Sequence, residues 1–390
     1  MGDVNLLRAN WTYPNPIRFG AGRITELTAA CREVGLARPL LVTDPGLAGL
    51  AVVKRTLGQL EQAGLPVAVF SDIRTNPTLA QAARGLEAYR DGDHDGIIAF
   101  GGGSALDAAK ALLLMAGQEH PVEAFLCGRE PPPVRRLPPL VAVPTTAGSG
   151  AEARHIAVLT DDATRRRIVL KHPGMMPASV ICDPELTIGL PPSLTAVTGM
   201  NALSHNLEAL CAGAHDPIAD GIAVEGVRLA RENLAQAFRN GSDLTARGHM
   251  MAAATLGGIA FRKGLGAIQA LADPIGALWD THHGLAAAVL TPYVLVHNRP
   301  AVEDKIARLA AYCGLEGASF DAFLGCVLAL REELGIPHTL RGLGLGDERV
   351  EALVEEAAAD PFAASNPVPL DAAAVRAIYA RALTGDLECS

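Results

Sequence analysis

Strand-like runs occupy only one half of this chain. Residues 39–44 (PLLVTD), 66–72 (PVAVFSD), 96–100 (GIIAF) and 140–144 (LVAVP) are short, apolar and bounded by Gly, Pro or Asp. Uninterrupted apolar runs of this length suit parallel strands buried on both faces. Helical patterns at 47–63 and 78–90 separate them. Strand–helix–strand alternation at this spacing predicts a doubly wound α/β domain. After about residue 195 the runs disappear. Ala-rich helical patterns follow at 194–211, 220–239, 247–261, 302–313, 320–334 and 372–383, and Ala is the strongest helix former. Two prolines in 189–192 (GLPP) stop the preceding segment. The expectation is an α/β domain over 1–190 followed by an all-helical domain over 191–390.

Composition removes several function classes. A net charge of −9 with only 2 Trp, 5 Tyr and 9 Phe supplies neither the basic footprint nor the stacking platforms of a nucleic-acid binder. The longest apolar stretch, 284–296, is broken by Thr291, Pro292 and Tyr293 and is too short to span a bilayer. Residues 1–16 lack a basic start leading into an apolar run, so no signal peptide is expected. Seven scattered cysteines without a CxxC read as reduced thiols of a cytoplasmic protein.

Two loops carry chemistry. Residues 100–110 (FGGGSALDAAK) place three glycines between an expected strand and an expected helix. Such a turn lets backbone approach a phosphate, and the helix start offers free N–H groups and a positive dipole end. Ser104 is positioned to cap the helix or to donate to a phosphate oxygen. The other reading is a tight strand–helix turn with no ligand; the pattern is neither GxGxxG nor GxxxxGK[ST]. Residues 144–152 (PTTAGSGAE) form a second hydroxyl-bearing loop at a strand end, with Thr145, Thr146 and Ser149. Two phosphate-type loops on one sheet favour a nucleotide over two unrelated turns. Asp44 closes an earlier strand. It reads either as an acceptor for a ribose hydroxyl or as an Asp before Pro in a turn.

Taken in order, these segments resemble the iron-containing (group III) alcohol dehydrogenase family. The resemblance runs through 42–47 (VTDPGL), 76–78 (NPT), 101–110, 144–152, 183–190 (DPELTIGL), 198–209 (TGMNALSHNLEA) and 280–293 (DTHHGLAAAVLTPY). It implies a nucleotide-binding α/β domain, then a helical domain, in the architecture also used by dehydroquinate synthase. It further implies NAD(P) contacts from Gly101, Gly102, Gly103, Ser104, Asp107, Thr145, Thr146 and Ser149. Asp44 stands where a carboxylate disfavours a 2′-phosphate, so NAD(H) is favoured over NADP(H). Arg167 falls where the family often places a Lys near the cofactor. A homodimer is the family's common minimum.

The family's four metal ligands map onto Asn201, His205, Gln269 and His283. Two of these are amides, which are weak ligands for Fe²⁺ or Zn²⁺ beside imidazole, thiolate and carboxylate. The expectation is therefore an enzyme without a tightly bound catalytic metal. The Asn in GMNALSH resembles the maleylacetate reductase branch. Asp273 occupies the position of a family His implicated in proton transfer; it reads as a proton donor, a substrate contact, or a cap before Pro274. His282 is an alternative acid, and each His also reads as a packing residue. Arg262 and Lys263 (FRKG) suit an anionic substrate, or else form a solvated basic pair. These residues predict an NAD(H)-dependent alcohol dehydrogenase or carbonyl reductase acting on a small, anionic carbonyl or alcohol. The alternatives are an Fe- or Zn-dependent dehydrogenase with an altered site, a non-catalytic nucleotide-binding relative, and a lyase.

Overall fold

The structure is a computed structural model, and it describes residues 9–11, 15–134, 136–279, 281–347 and 350–387. Most of the segment read for a leader, and Cys389, lie outside them. The chain divides into two compact units, 1–190 with 242–251 and 191–241 with 252–390.

In the first unit the strands are β1 (Ala9–Trp11), β2 (Ile17–Phe19), β3 (Pro39–Val42), β4 (Ala68–Phe70), β5 (Gly96–Gly101), β6 (Leu140–Pro144), β7 (Ile156–Thr160), β8 (Arg167–Lys171) and β9 (Ser179–Cys182). Seven of them form one sheet in the order β1-β2-β9-β6-β5-β3-β4; β7 and β8 form a separate antiparallel hairpin. All pairings within the large sheet are parallel except β1 with β2. The helices are α1 (Leu27–Glu33), α2 (Pro45–Ala48), α3 (Ala51–Gln62), α4 (Leu79–Asp91) and α5 (Gly103–Ala116). Leu41, Ile98, Phe100, Val141 and Val143 join Val53 and Leu60 of α3 in one buried cluster. That is why β3, β5 and β6 are continuous apolar runs in the sequence.

In this strand order the chain passes from β3 outward to β4, then returns to lay β5 on the other side of β3. The direction of winding therefore reverses between β3 and β5. In open α/β sheets, ligands bind outside the carboxyl ends of the strands at such a point. Asp44 follows β3 there, and the triple glycine closes β5.

The second unit is built from α6 (Pro192–Cys211), α7 (Pro217–Arg239), α8 (Leu244–Ala260), α9 (Ala267–Trp279), α10 (His283–Tyr312), α11 (Phe320–Glu333), α12 (Val350–Ala359) and α13 (Ala372–Thr384). The first half of α8 groups with the first unit. The helix expected at 302–313 is only the end of α10, which continues through Pro292 and Pro300. A proline normally breaks a helix by removing one donor and crowding the preceding turn. Around Pro292 the helix is buried on all sides, and Thr291 Oγ1 donates to Ala287 O at 2.7 Å. The packing holds α10 where propensity alone would end it. Among the described residues no helix is long and apolar enough to cross a membrane.

Candidate active site

Register brings the two loops side by side. Gly101 pairs with Pro144 at the ends of β5 and β6, and Thr145 N donates to Gly101 O at 3.0 Å. The glycines are required by this closeness. A Cβ on Gly102 would stand 3.2 Å from Thr146 Cγ2, and one on Gly103 would stand 2.7 Å from Ser149 Oγ. A Cβ on Gly101 would lie 2.7 Å from Ala105 Cβ and 3.8 Å from Asp44 Oδ2. Gly101, Gly102, Gly103, Thr146, Ser149 and Asp44 thus converge. The first turn of α5 has N–H groups with no partner inside the helix, as every helix start does.

Two details differ from expectation. Gly102, not Ser104, is the N-cap of α5, and Ser104 sits inside the first turn. Asp44 Oδ1 caps α2 by accepting from Leu47 N at 3.0 Å, so its turn role is real. Its other carboxylate oxygen is the one nearer Gly101.

Asp107 is turned away from the loop surface. It is buried, 3.5 Å from Lys110 Nζ and 3.2 Å from Arg154 NH2. Both carboxylate oxygens thus face cations of the protein itself. Burial pushes the Lys110 ammonium down to about 8 against the pull of Asp107. Arg167 NH2 donates to Asn76 Oδ1 at 3.0 Å, on the residue that enters the left-handed region at φ 54°.

In the second unit, α6 presents Asn201, Ser204, His205 and Glu208 at helical spacing, all buried. Ser204 Oγ donates to Asn201 O at 2.9 Å, which uses its proton. Gln269 Nε2 donates to Ser204 Oγ at 3.1 Å, so the Gln269 carbonyl oxygen faces the other way. That oxygen meets His283 Nε2 at 2.5 Å. A carbonyl oxygen only accepts, so His283 carries a proton on Nε2. On the far side of the ring, Nδ1 lies 3.1 Å from Asp273 Oδ1. His283, Gln269, Ser204 and Asp273 therefore form one connected group. Asn201 joins it at the start of α10, where a Cβ on Gly284 would stand 3.2 Å from Asn201 Cβ. Its Oδ1 is buried without a hydrogen-bond partner. His205 packs edge-on against Phe261 at 5.8 Å.

The remaining expectations are corrected. Asp273 does not cap a turn; it lies within α9, with Pro274 also inside the helix. His282 is the N-cap of α10, its Nδ1 accepting from Gly284 N at 3.2 Å. Burial, with His283 beside it, pushes its imidazolium down to about 4. That burial and the cap it makes weigh against the reading of His282 as the acid. Arg262 pairs with Asp216 at 3.2 Å, and fully buried Lys263 binds Asp220 and donates to Leu210 O at 3.0 Å. Both cations are spent on the start of α7, so they give no argument for an anionic substrate. Replacing Arg262 with Ala should leave KM for a carboxylate substrate within about twofold. Replacing Lys263 with Met should cost on the order of 2 kcal/mol, read by thermal denaturation, because Asp220 loses its buried partner while the Leu210 carbonyl keeps only Lys305 Nζ at 2.8 Å.

Sequence reasoning missed Lys110, Arg154, Ser204 and Glu208. The i, i+3, i+7 spacing of 201, 204 and 208 was the available signal for the last two. Glu208 Oε1 accepts from Ile268 N at 2.6 Å and fixes the first turn of α9, hence Gln269. Burial pushes its carboxyl up to about 8.

A glycine- and hydroxyl-lined strand end in one unit and a buried His–amide–carboxylate group in the other are features compatible with an oxidoreductase of the dehydrogenase class. The sequence matches "Iron-containing alcohol dehydrogenase" over residues 14–184 and "Fe-containing alcohol dehydrogenase family, C-terminal" over 195–383. The chain belongs to the iron-containing alcohol dehydrogenase family. It is similar to 4-hydroxybutyrate dehydrogenase of Cupriavidus necator, at 36% identity over 93% of this chain and 97% of the relative. Among solved structures it resembles a 1,3-propanediol oxidoreductase, with TM-score 0.90, 36% identity and coverage of 94% and 97%. It also resembles sulfoacetaldehyde reductase from Bifidobacterium kashiwanohense in complex with NAD+, with TM-score 0.86, 27% identity and coverage of 97% and 99%.

Proposed function

We propose that this chain is an NAD(H)-dependent alcohol dehydrogenase or carbonyl reductase for a small substrate, working through hydrogen-bond donors and without a tightly bound metal. One observation carries the reading: the Gln269 carbonyl oxygen at a family ligand position is hydrogen-bonded to His283 Nε2. A metal would need the lone pair that this proton occupies. The donor set of two amides and two imidazoles holds no carboxylate or thiolate, so it does not fit a tightly held Fe²⁺ or Zn²⁺.

The α/β residues fit a dinucleotide. The α5 amides with Thr145, Thr146 and Ser149 would hold the pyrophosphate, and Asp44 would accept from a ribose hydroxyl and repel a 2′-phosphate. When bound, the nicotinamide accepts or gives the hydride. The chain's own residues then orient the substrate and handle the proton. Asp273 stands 3.1 Å from His283 Nδ1, and His283 would give up its bond to Gln269 in order to turn its Nε2 proton toward an oxygen gaining negative charge. His205 and Asn201 line the same stripe of α6. The names of the relatives cover both hydroxy acids and neutral diols, so a panel must include each class.

The test is NADH and NADPH oxidation with aldehydes, keto acids and sulfonoaldehydes, and NAD⁺ reduction with diols and hydroxy acids. Each is run after chelation and with added Fe²⁺ or Zn²⁺. The expected result is preference for NADH and activity within about twofold after chelation. Activity abolished by chelator and restored by either metal would overturn the metal-independent reading. NADH binding without turnover on any substrate would overturn the catalytic one.

A further inference from the structure

The last residue of the glycine-rich motif has no part in the reading above, yet among the described residues it is the most completely enclosed cation in the α/β unit. Lys110 lies two turns down α5 from Gly103 with its side chain fully buried. An ammonium has three donors, and each finds an acceptor. Nζ donates to Ala151 O at 2.5 Å and to Ile156 O at 3.0 Å, and it faces Asp107 Oδ1 at 3.5 Å. The second Asp107 oxygen accepts from Arg154 NH2 at 3.2 Å.

The two carbonyls bracket the segment that leaves the hydroxyl-bearing loop for β7. The Ala151 peptide is gripped from both sides. Its carbonyl takes the Lys110 proton, and its N–H donates to Ser149 Oγ at 3.2 Å. Ser149 in turn presses on Gly103 with no room for a methyl group. A shift of Ala151 is thus passed to Ser149, and from Ser149 to the spacing between this loop and the first amides of α5.

We propose that Lys110 is a positioning residue for the cofactor: it staples the 145–151 loop to α5 and so fixes the gap in which a pyrophosphate is held, without touching the nucleotide. This rests on the assignment of both loops to the dinucleotide. An unfilled polar gap of fixed width costs nothing to reorganise on binding, whereas a loose loop must be ordered each time. Removing the staple should therefore weaken cofactor binding selectively.

The test compares Lys110→Met with Leu113→Ala, a buried apolar truncation on the same helix that carries no hydrogen-bond donor. The readouts are the NADH dissociation constant by fluorescence titration, the thermal midpoint of the apo protein, and KM for each substrate. Lys110→Met is expected to raise the NADH dissociation constant and KM for NAD⁺ about tenfold or more. KM for the alcohol and kcat should stay within about twofold. Leu113→Ala is expected to lower the thermal midpoint while leaving NADH affinity within about twofold. Should Lys110→Met fail to fold, Asp107→Asn, which keeps Lys110 but weakens its anchor, is expected to raise the constant about threefold. Parallel rises in both KM values, or an NADH effect no larger than that of Leu113→Ala, would overturn the proposal. A wild-type protein that binds no NADH would instead overturn the cofactor assignment itself.

Discussion

Replacing His283 with Ala is expected to lower kcat by about 100-fold or more while NADH affinity stays within about twofold. The size follows from two losses. A positioned proton donor contributes roughly 10²–10⁴-fold, and a preorganised donor aimed at developing charge contributes about 10²–10³-fold. His283 supplies both in this reading, so the two overlap and do not multiply. The selectivity follows from placement: the ring belongs to the helical unit, bonded to Gln269 at 2.5 Å and set against Asp273 at 3.1 Å, whereas the glycine loops belong to the α/β unit. Single-turnover NADH oxidation by His283→Ala, read against a fluorescence titration of NADH, checks it. A variant with unchanged kcat would remove His283 from the proton path. Equal losses in NADH affinity and turnover would mean that the substitution disturbs the fold, not the chemistry.

Part of this was legible in the sequence, and the reason is physical. Strands β3, β5 and β6 are buried on both faces, so nearly every residue must be apolar and the run announces itself. The hairpin of β7 and β8 and the short edge pair β1 and β2 impose no such rule, and none was foreseen. β9 did leave a trace: Val180, Ile181 and Cys182 stand just before Asp183. The loop at 101–104 was legible because glycine is the only residue that tolerates the approach of Thr146 and Ser149. In the helical half, the family resemblance pointed to Asn201, His205, Gln269 and His283 but could not reveal that Gln269 bridges Ser204 and His283. That bridge joins three helices, and no local period encodes it. Adjacency misled at Arg262 and Lys263. Their position before the Gln269 helix suggested a site role, but a 3-10 turn aims both at the acidic start of α7.

The glycine cradle gives the other large effect, and it separates stability from function. Gly103 opens α5, where alanine is the better helix former by about 1 kcal/mol, and its φ is not in the left-handed region. On local grounds Gly103→Ala should leave the thermal midpoint unchanged or slightly raised. Its new methyl group would, however, sit 2.7 Å from Ser149 Oγ and 2.9 Å from Ser149 Cβ. The hydroxyl could rotate away. Cβ is fixed to the backbone, so the 145–149 loop must move off the first turn of α5. The amides and hydroxyls proposed to hold a pyrophosphate would then be splayed, and NADH affinity should fall about 30-fold or more. Pairing the change with Ser149→Gly removes both opposing atoms and should restore part of the affinity, less whatever the Ser149 hydroxyl itself contributes. Titration of NADH into the single and double variants, beside thermal melts of each, decides the matter. Undiminished affinity in Gly103→Ala would show that the two loops do not hold the cofactor between them.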